Sequence, residues 1–453
     1  MELVQIIVFI LVFALTLFLF FKEAKFIYRN IKLGRPKQID DNKSERFKRM
    51  LLIAFGQKKM FKNLIPAFLH LAIYVAFLIT QIELIEILID GFTGKHRLFF
   101  NLVEGSAIGE GIYIGIITTI EALSILAFIA TIAFLARRNL LKVPRLTMSE
   151  MNGWPKLDAN IILFVELYLI ICIFLMNGAD MAREKALTGE DYGFPISGAL
   201  MPLFANFSPD TLKILERIGW WGHILGVFAF LVYIPHSKHL HIMLAFPNVY
   251  FSRLFEKGRL NNMEAVTNEV KLMMDPNADP YAEPEASEGG EEEVPEKFGA
   301  KDVQDLNWKH LLDAYSCTEC GRCSAACPAS QTGKKLSPRK IMMDTRDRLE
   351  EVGKGIDEHG PDFTDNKSLL GDYITTEELR ACTTCNACVE ECPVSINPLD
   401  IIFELRRHLI MEDSNSPEEW NLMFNNIENN GAPWQFSPTD RLKWADELEK
   451  GKA

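Results

Sequence analysis

Five stretches of this chain are so continuously apolar that, at 1.5 Å rise per residue, each would cross the ~30 Å core of a bilayer as a helix. They fall near residues 3–21, 64–89, 112–136, 160–178 and 218–242. Hydrocarbon offers no hydrogen bonds, so a crossing segment must satisfy its own backbone, and helices are the form open to such runs. The first stretch opens on Glu2 rather than on cations, and Lys22, Lys25 and Arg29 follow it. It therefore reads as a retained span and not as a cleaved leader.

Cations set the expected orientation, because Lys and Arg near span ends favour the cytoplasmic side. The connection 22–63 is densely basic, from Lys22 through Arg35, Arg46 and Arg49 to Lys62, and Arg137, Arg138, Lys142, Arg145 and Lys156 follow the third span. The other connections carry fewer cations, and Asp180, Glu184 and Glu216 offset those of the longer one. The expectation is a multi-pass protein of the cell membrane with its N-terminus outside and everything beyond the fifth span inside.

The second half differs in kind. It is polar and acidic, dominates the net charge of −12, and holds all of the nine cysteines except Cys172, which reads as packing. Such acidity argues against a nucleic-acid partner, which would need a broad cationic face. On the cytoplasmic side thiols stay reduced, so closely spaced cysteines point to metal rather than to disulfides.

The expected fold is all-α: a membrane part over 1–260, an acidic linker over 261–300, a helical domain over 301–412 and a tail over 413–453. Residues 275–300 combine Pro, Gly and a Glu run with few bulky apolar side chains, as solvated linkers do. Beyond them Trp308, Leu311, Leu312 and Tyr315 recur at helical spacing. Ser337-Pro338 and Asn397-Pro398 are matching helix starts, each after a cysteine run, and mark a diverged internal repeat. Thr375 and Glu378 form a capping box ahead of the second run.

The runs are Cys317-Thr-Glu-Cys320-Gly-Arg-Cys323-Ser-Ala-Ala-Cys327-Pro328 and Cys382-Thr-Thr-Cys385-Asn-Ala-Cys388-Val-Glu-Glu-Cys392-Pro393. Both fit C-x2-C-x2-C-x3-C-P, in which three thiolates wrap one 4Fe-4S cube and the fourth serves the other cluster. The expected sets are Cys317, Cys320, Cys323 and Cys392 for one cluster, and Cys382, Cys385, Cys388 and Cys327 for the other. Zinc also takes four cysteines, but usually from two separated C-x2-C knuckles.

His70 and His223 lie inside apolar spans, where a polar side chain is costly and is usually paired or functional. His241 stands 18 residues after His223. In one continuous helix that step is five turns, so both would face one way about 27 Å apart, as ligands of two haems in two leaflets. His236 and His239 fall on other faces and read as interfacial. Among the buried acids, Glu83 with Gln81 is the candidate for quinone protonation, whereas Glu121 and Glu166 read as acids hydrogen-bonded between helices.

The stretch WWGHILGVFAFLVYIPHSKHLHIMLAFPNVYF resembles the last helix of the nitrate reductase gamma-subunit type of cytochrome b. The resemblance implies that His241 pairs with His70 around a haem b on the cytoplasmic side. Two-haem members have a second histidine ten residues after the first, and here that position is Thr80, which leaves His223 without its expected partner. The stretches FGAKDVQDLNWKHLLDAYSCTECGRCSAACPASQTGKKLSPRK and CTTCNACVEECPVSINPLDIIFELRRHLI, followed by NGAPW, are similar to membrane-fused proteins related to heterodisulfide reductase. These include bacterial electron-transfer-flavoprotein:menaquinone oxidoreductases, and the resemblance covers nearly the whole chain. Fused members continue into a domain with paired C-C-G motifs, and the sequence ends at Ala453 with none, so that domain is expected from a separate subunit.

The function this implies is an electron-transfer subunit between a soluble partner, such as an electron-transfer flavoprotein or a C-C-G subunit, two 4Fe-4S clusters, haem b and the menaquinone or other quinone pool. A ferredoxin-bearing membrane anchor without catalysis, or a redox sensor, are the alternatives.

Overall fold

The computed structural model describes residues 3–189, 192–276, 297–435 and 437–451. Half of the expected linker, 277–296, lies outside the described residues. Among those described there is no strand, only helices and two isolated bridges. Five helices are long and apolar enough to cross a membrane. They are α1 (Leu3–Lys32), α2 (Leu64–Thr93), α3 (Ala107–Asn139), α4 (Trp154–Thr188) and α5 (Pro209–Tyr233). Each contains one of the expected apolar stretches or most of it.

Their ends follow local chemistry. Ser106 and Ser208 accept hydrogen bonds from the backbone of Gly109 and Thr211 and so cap α3 and α5. Gly94 and Gly189, both left-handed, close α2 and α4. Large side chains on the outer faces, among them Leu11, Leu15 and Phe18 of α1, have no protein cover. In water that exposure would be unfavourable, whereas in hydrocarbon it carries no cost.

The fifth span departs from the expected single helix over 218–242. It stops at Tyr233, two 3-10 turns cover 234–236 and 238–240, and a new helix runs from His241 to Tyr250. Pro235 has no amide hydrogen to donate and cannot continue the ladder. The 100° count from His223 to His241 therefore does not carry across the break.

The cysteine part packs onto the ends of α1 and α5 through one continuous core. Ile27, Ile31, Ile234 and Leu240 share it with Leu311, Ile341, Ile401 and Leu405. The expected helix starts are present: Ser337 caps Pro338–His359, Asn397 caps Pro398–Met411, and Thr375 with Glu378 forms a capping box at Thr376–Ala381.

Both basic connections meet this part. Arg339, fully buried, donates to Glu150 at 2.8 Å and to the Arg145 carbonyl at 2.6 Å. Arg35 pairs its backbone with Leu306 and Trp308 at 2.8 and 3.2 Å. That pairing explains Gly34, because a Cβ there would lie 2.7 Å from Trp308 N and 2.8 Å from Asn307 C. Gly34→Ala is expected to cost about 1–3 kcal/mol through overpacking. Thermal unfolding in detergent checks this, and a variant indistinguishable from the parent would contradict the close approach.

Candidate cluster and histidine sites

The two cysteine runs follow one backbone path. Glu319 and Thr384 both take positive φ (52 and 60°), as do Gly321 and Asn386 (71 and 61°), and each run then enters a five-residue helix, Arg322–Ala326 or Ala387–Glu391. Left-handed residues before and after the second cysteine turn the chain around a centre. Gly321 has no alternative, since a Cβ there would collide with the Arg339 guanidinium.

The two short helices pack against each other, which brings the fourth cysteine of each run to the other. Cys317, Cys320, Cys323 and Cys392 line one cavity together with Gly321, Met342, Val394 and Ile396, and Cys388 also reaches its wall. Cys327 lies within electrostatic range of Cys382 and Cys388, which also sense Cys385. The first expected set thus lines one cavity, and the members of the second lie near one another. A much larger open cleft among residues 35–59, 251–263 and 386–407 holds none of these cysteines and neither of the paired histidines.

Backbone amides point at the sulfurs, Thr384 N at Cys382 (3.4 Å) and Ile396 N at Cys392 (3.2 Å). Burial pushes the Cys317 and Cys388 thiols up to about 12 and Cys392 to about 11. Without a bound cation these groups are protonated at neutral pH. A metal centre that displaces the protons fits such a donor set. Among the described residues no three metal-binding side chains converge on a point for a single ion.

The rings of His70 and His241 face each other with centroids 6.5 Å apart and planes at 48°. An ion bonded at about 2 Å to one nitrogen of each ring would hold the centroids roughly 6 Å apart. On each ring the other nitrogen is engaged: His70 Nδ1 donates to Gln57 Oε1 at 3.1 Å and His241 Nδ1 to the Lys238 carbonyl at 3.0 Å. Both Nε2 atoms are left to serve as ligands, which is how ligating histidines are usually held. His239, expected at the interface, instead packs its ring on Phe230 (5.1 Å) and His241 (5.5 Å), while His236 is exposed.

His223 is buried in α5, and its Nδ1 has no hydrogen-bond partner among the described residues. Gln81 bonds its own helix at the Phe77 carbonyl and Glu83 turns inward, so the two do not share a site. Glu121 accepts from the Ser197 amide at 3.1 Å and Glu166 from Thr131 at 3.1 Å, as expected for acids bonded between helices.

Glu83 belongs to a buried network that the sequence reading missed. Asn177 donates to Glu83 and accepts from Arg97, which also bonds Asp180 (2.6 Å) and Tyr113, while Tyr113 donates to Glu86. His96 bridges Asp180 (3.0 Å) and Asp90 (3.4 Å), and Arg217 pairs with Asp90 and Glu216. Asp90 Oδ1, Glu216 Oε1 and Trp220 Nε1 are buried there without a hydrogen-bond partner among the described residues. Twenty residues of α2 separate His70 from Asp90, about 30 Å along the axis, so the network occupies the opposite end of the bundle from the histidine pair. A run of acids at helical spacing, Glu83, Glu86 and Asp90, was the available signal.

A family model described as a 4Fe-4S dicluster domain matches residues 313–396. The chain is 28% identical, over 96% of its length, to the probable iron-sulfur-binding oxidoreductase FadF of Bacillus subtilis, of which the match covers 59%. It is 26% identical, over 90% of its length, to the EtfAB:quinone oxidoreductase of Syntrophomonas wolfei, covering 55% of that protein. A match to one of the subunits of the ferredoxin/F(420)H(2)-dependent CoB-CoM heterodisulfide reductase of Methanosarcina acetivorans is 35% identical over 24% of this chain and 53% of the relative. No solved structure matches.

The chain is therefore a homologue of iron-sulfur oxidoreductases and of heterodisulfide reductase subunits, and it carries a 4Fe-4S dicluster domain. It spans somewhat more than half the length of the first two relatives.

His96 lies just outside the spans and gives a pH test. Burial lowers its pKa, but Asp180 and then Asp90 overcome this and raise it to about 9. A folded pKa above the usual value of about 6.5 means a contribution complete below about pH 6.5 and lost as the pH rises through about 9. Thermal unfolding between pH 6 and 10 should show that loss in the parent and not in His96→Gln. Parallel curves would contradict it.

Proposed function

We propose that this chain is a membrane electron-transfer subunit that relays electrons between a soluble redox partner, two 4Fe-4S clusters, a haem b and the quinone pool. Cys317, Cys320, Cys323 and Cys392 hold one cluster, Cys382, Cys385, Cys388 and Cys327 the other, and His70 and His241 the haem. The names of two relatives, one an iron-sulfur oxidoreductase and one a quinone oxidoreductase, support the reading. The observation that carries it is the pair of facing imidazoles, each with Nδ1 tied to an acceptor and Nε2 free.

The bound groups supply the one-electron stations, and the residues set their order. Cys385 is the exposed cysteine, so the second-run set is the entry or exit for a soluble partner. The cavity of the other set comes next. Arg322 sits beside Cys323, donates to the Lys59 and Met60 carbonyls and lies within electrostatic range of His70, which makes the first-run set the neighbour of the histidine pair. His223, with no partner histidine, is left outside the ligand set.

At the far end of the bundle the network around Glu83 has five carboxylates, Glu83, Glu86, Asp90, Asp180 and Glu216, against the cations His96, Arg97 and Arg217. The carboxylates outnumber the cations there, and we assign quinone protonation to this end. The density of cations in the connections that meet the cysteine part supports a cytoplasmic side for it. Exposed Trp420 and Phe424 on the helix Glu418–Asn430 and Trp444 on the helix Lys443–Lys450 offer apolar side chains to a partner subunit.

Purified protein should show a b-type optical spectrum and the EPR signals of two reducible 4Fe-4S clusters. His70→Ala should abolish the former and leave the latter. A protein without haem, or a variant that keeps it unchanged, would refute the histidine assignment.

A further inference from the structure

The two cysteine runs share a backbone but differ at six of their non-cysteine positions, and two of these differences carry side chains that bond residues outside the run. Where the second run has Thr384 and Ala387, the first has Glu319 and Arg322. The second run takes the same left-handed turns and starts the same five-residue helix without them. Neither residue is needed to fold a run of this shape. Both are nevertheless buried, at 3% and 5% exposure, in positions where an unpaired charge would be costly.

Each reaches a segment that carries one of the paired histidines. Glu319 Oε2 accepts from Lys238 Nζ at 2.5 Å, while its Oε1 accepts from Arg346 at 2.9 Å. Lys238 is further fixed by Pro155 O at 2.6 Å, by Asp158, which accepts from its amide at 3.1 Å, and by an ion pair with the same carboxylate at 3.8 Å. The carbonyl of Lys238 is the acceptor that holds His241 Nδ1.

On the other side Arg322 donates to the Lys59 and Met60 carbonyls, both at 3.3 Å. Met60 N closes a turn onto the Gln57 carbonyl at 2.8 Å, and the Gln57 side chain holds His70 Nδ1. Gln57 itself has φ 50°, a left-handed conformation kept only by its surroundings. The two grips are symmetric in effect: cysteine loop to lysine or turn, then to an acceptor, then to an imidazole.

We propose that Glu319 and Arg322 are positioning residues by which the first cysteine run clamps the two histidine segments and sets the separation and relative tilt of the His70 and His241 rings. The proposal rests on the haem reading given above. It makes the first run a part of the haem site as well as of its own cluster. The orientation and basicity of an axial imidazole depend on the acceptor at its other nitrogen, so the clamp also tunes the haem potential.

The test uses the full chain in detergent with its cofactors and the variants E319T and R322A, which install the residues the second run already carries. K238M provides a variant outside the cysteine run. Expected are unchanged EPR signals for both clusters, a haem affinity lower by roughly 10- to 100-fold, and for the haem retained an altered low-spin ferric EPR signal and a shifted midpoint potential. E319D and R322K should restore these in part.

Wild-type haem affinity, EPR signal and potential in all three variants would overturn the proposal. So would a loss confined to the cluster signals, which would mean that Glu319 and Arg322 serve only their own run. If E319T disturbs cluster and haem together, K238M decides: a haem change with clusters intact supports the clamp, and an unchanged haem overturns it. A parent protein with no haem at all would instead defeat the haem reading, and the clamp with it.

Discussion

The contact between Lys238 and Glu319 ties the apolar helices to the cysteine part at a buried ion pair. One partner stands in the break after an apolar helix and the other in a loop between cysteines, and both are almost wholly buried. Removing one partner of a buried pair leaves the other uncompensated, at about 3–5 kcal/mol. That penalty opposes any sliding of the membrane part against the cysteine part. Arg339 with Glu150 adds a second ion pair between the two parts, and Asn30 adds a buried hydrogen bond to the Tyr315 hydroxyl.

What these contacts hold in place is distance. Electron transfer asks little of a protein beyond fixed separations and suitable potentials. The fold supplies the first with a continuous core from Ile27 and Ile234 to Leu405, and bears on the second with amide-to-sulfur bonds at Cys382 and Cys392. The break at 234–240 has a clear use. A straight helix would carry His241 onward along the axis of α5, whereas the two 3-10 turns re-aim it at His70 and free the Lys238 carbonyl as its acceptor.

The sequence made the dicluster domain legible because the spacing of its cysteine runs is itself a geometry, and the five long apolar helices legible because apolar length admits one backbone form. The helix starts at Ser337, Thr375 and Asn397 were readable from local chemistry alone. Pairings across long sequence separations were not. The Arg97 network draws on Glu83, Tyr113, Asn177 and Asp180 from three helices, and no local pattern announces that they meet. The His223 to His241 count failed for a different reason: periodicity presumes an unbroken helix, and Pro235 removes it. No local pattern marks Glu319 and Arg322 either; their contrast with Thr384 and Ala387 in the second run does.

If the first-run cluster is the station next to the histidine pair, electrons reach the haem through it. Stopped-flow reduction by dithionite, following the haem band in the parent and in Cys320→Ala, tests this most directly. Without the first-run cluster haem reduction should slow by an order of magnitude or more, while the second-run cluster still becomes reduced and EPR-visible. Haem reduction at the parental rate would contradict that order of stations.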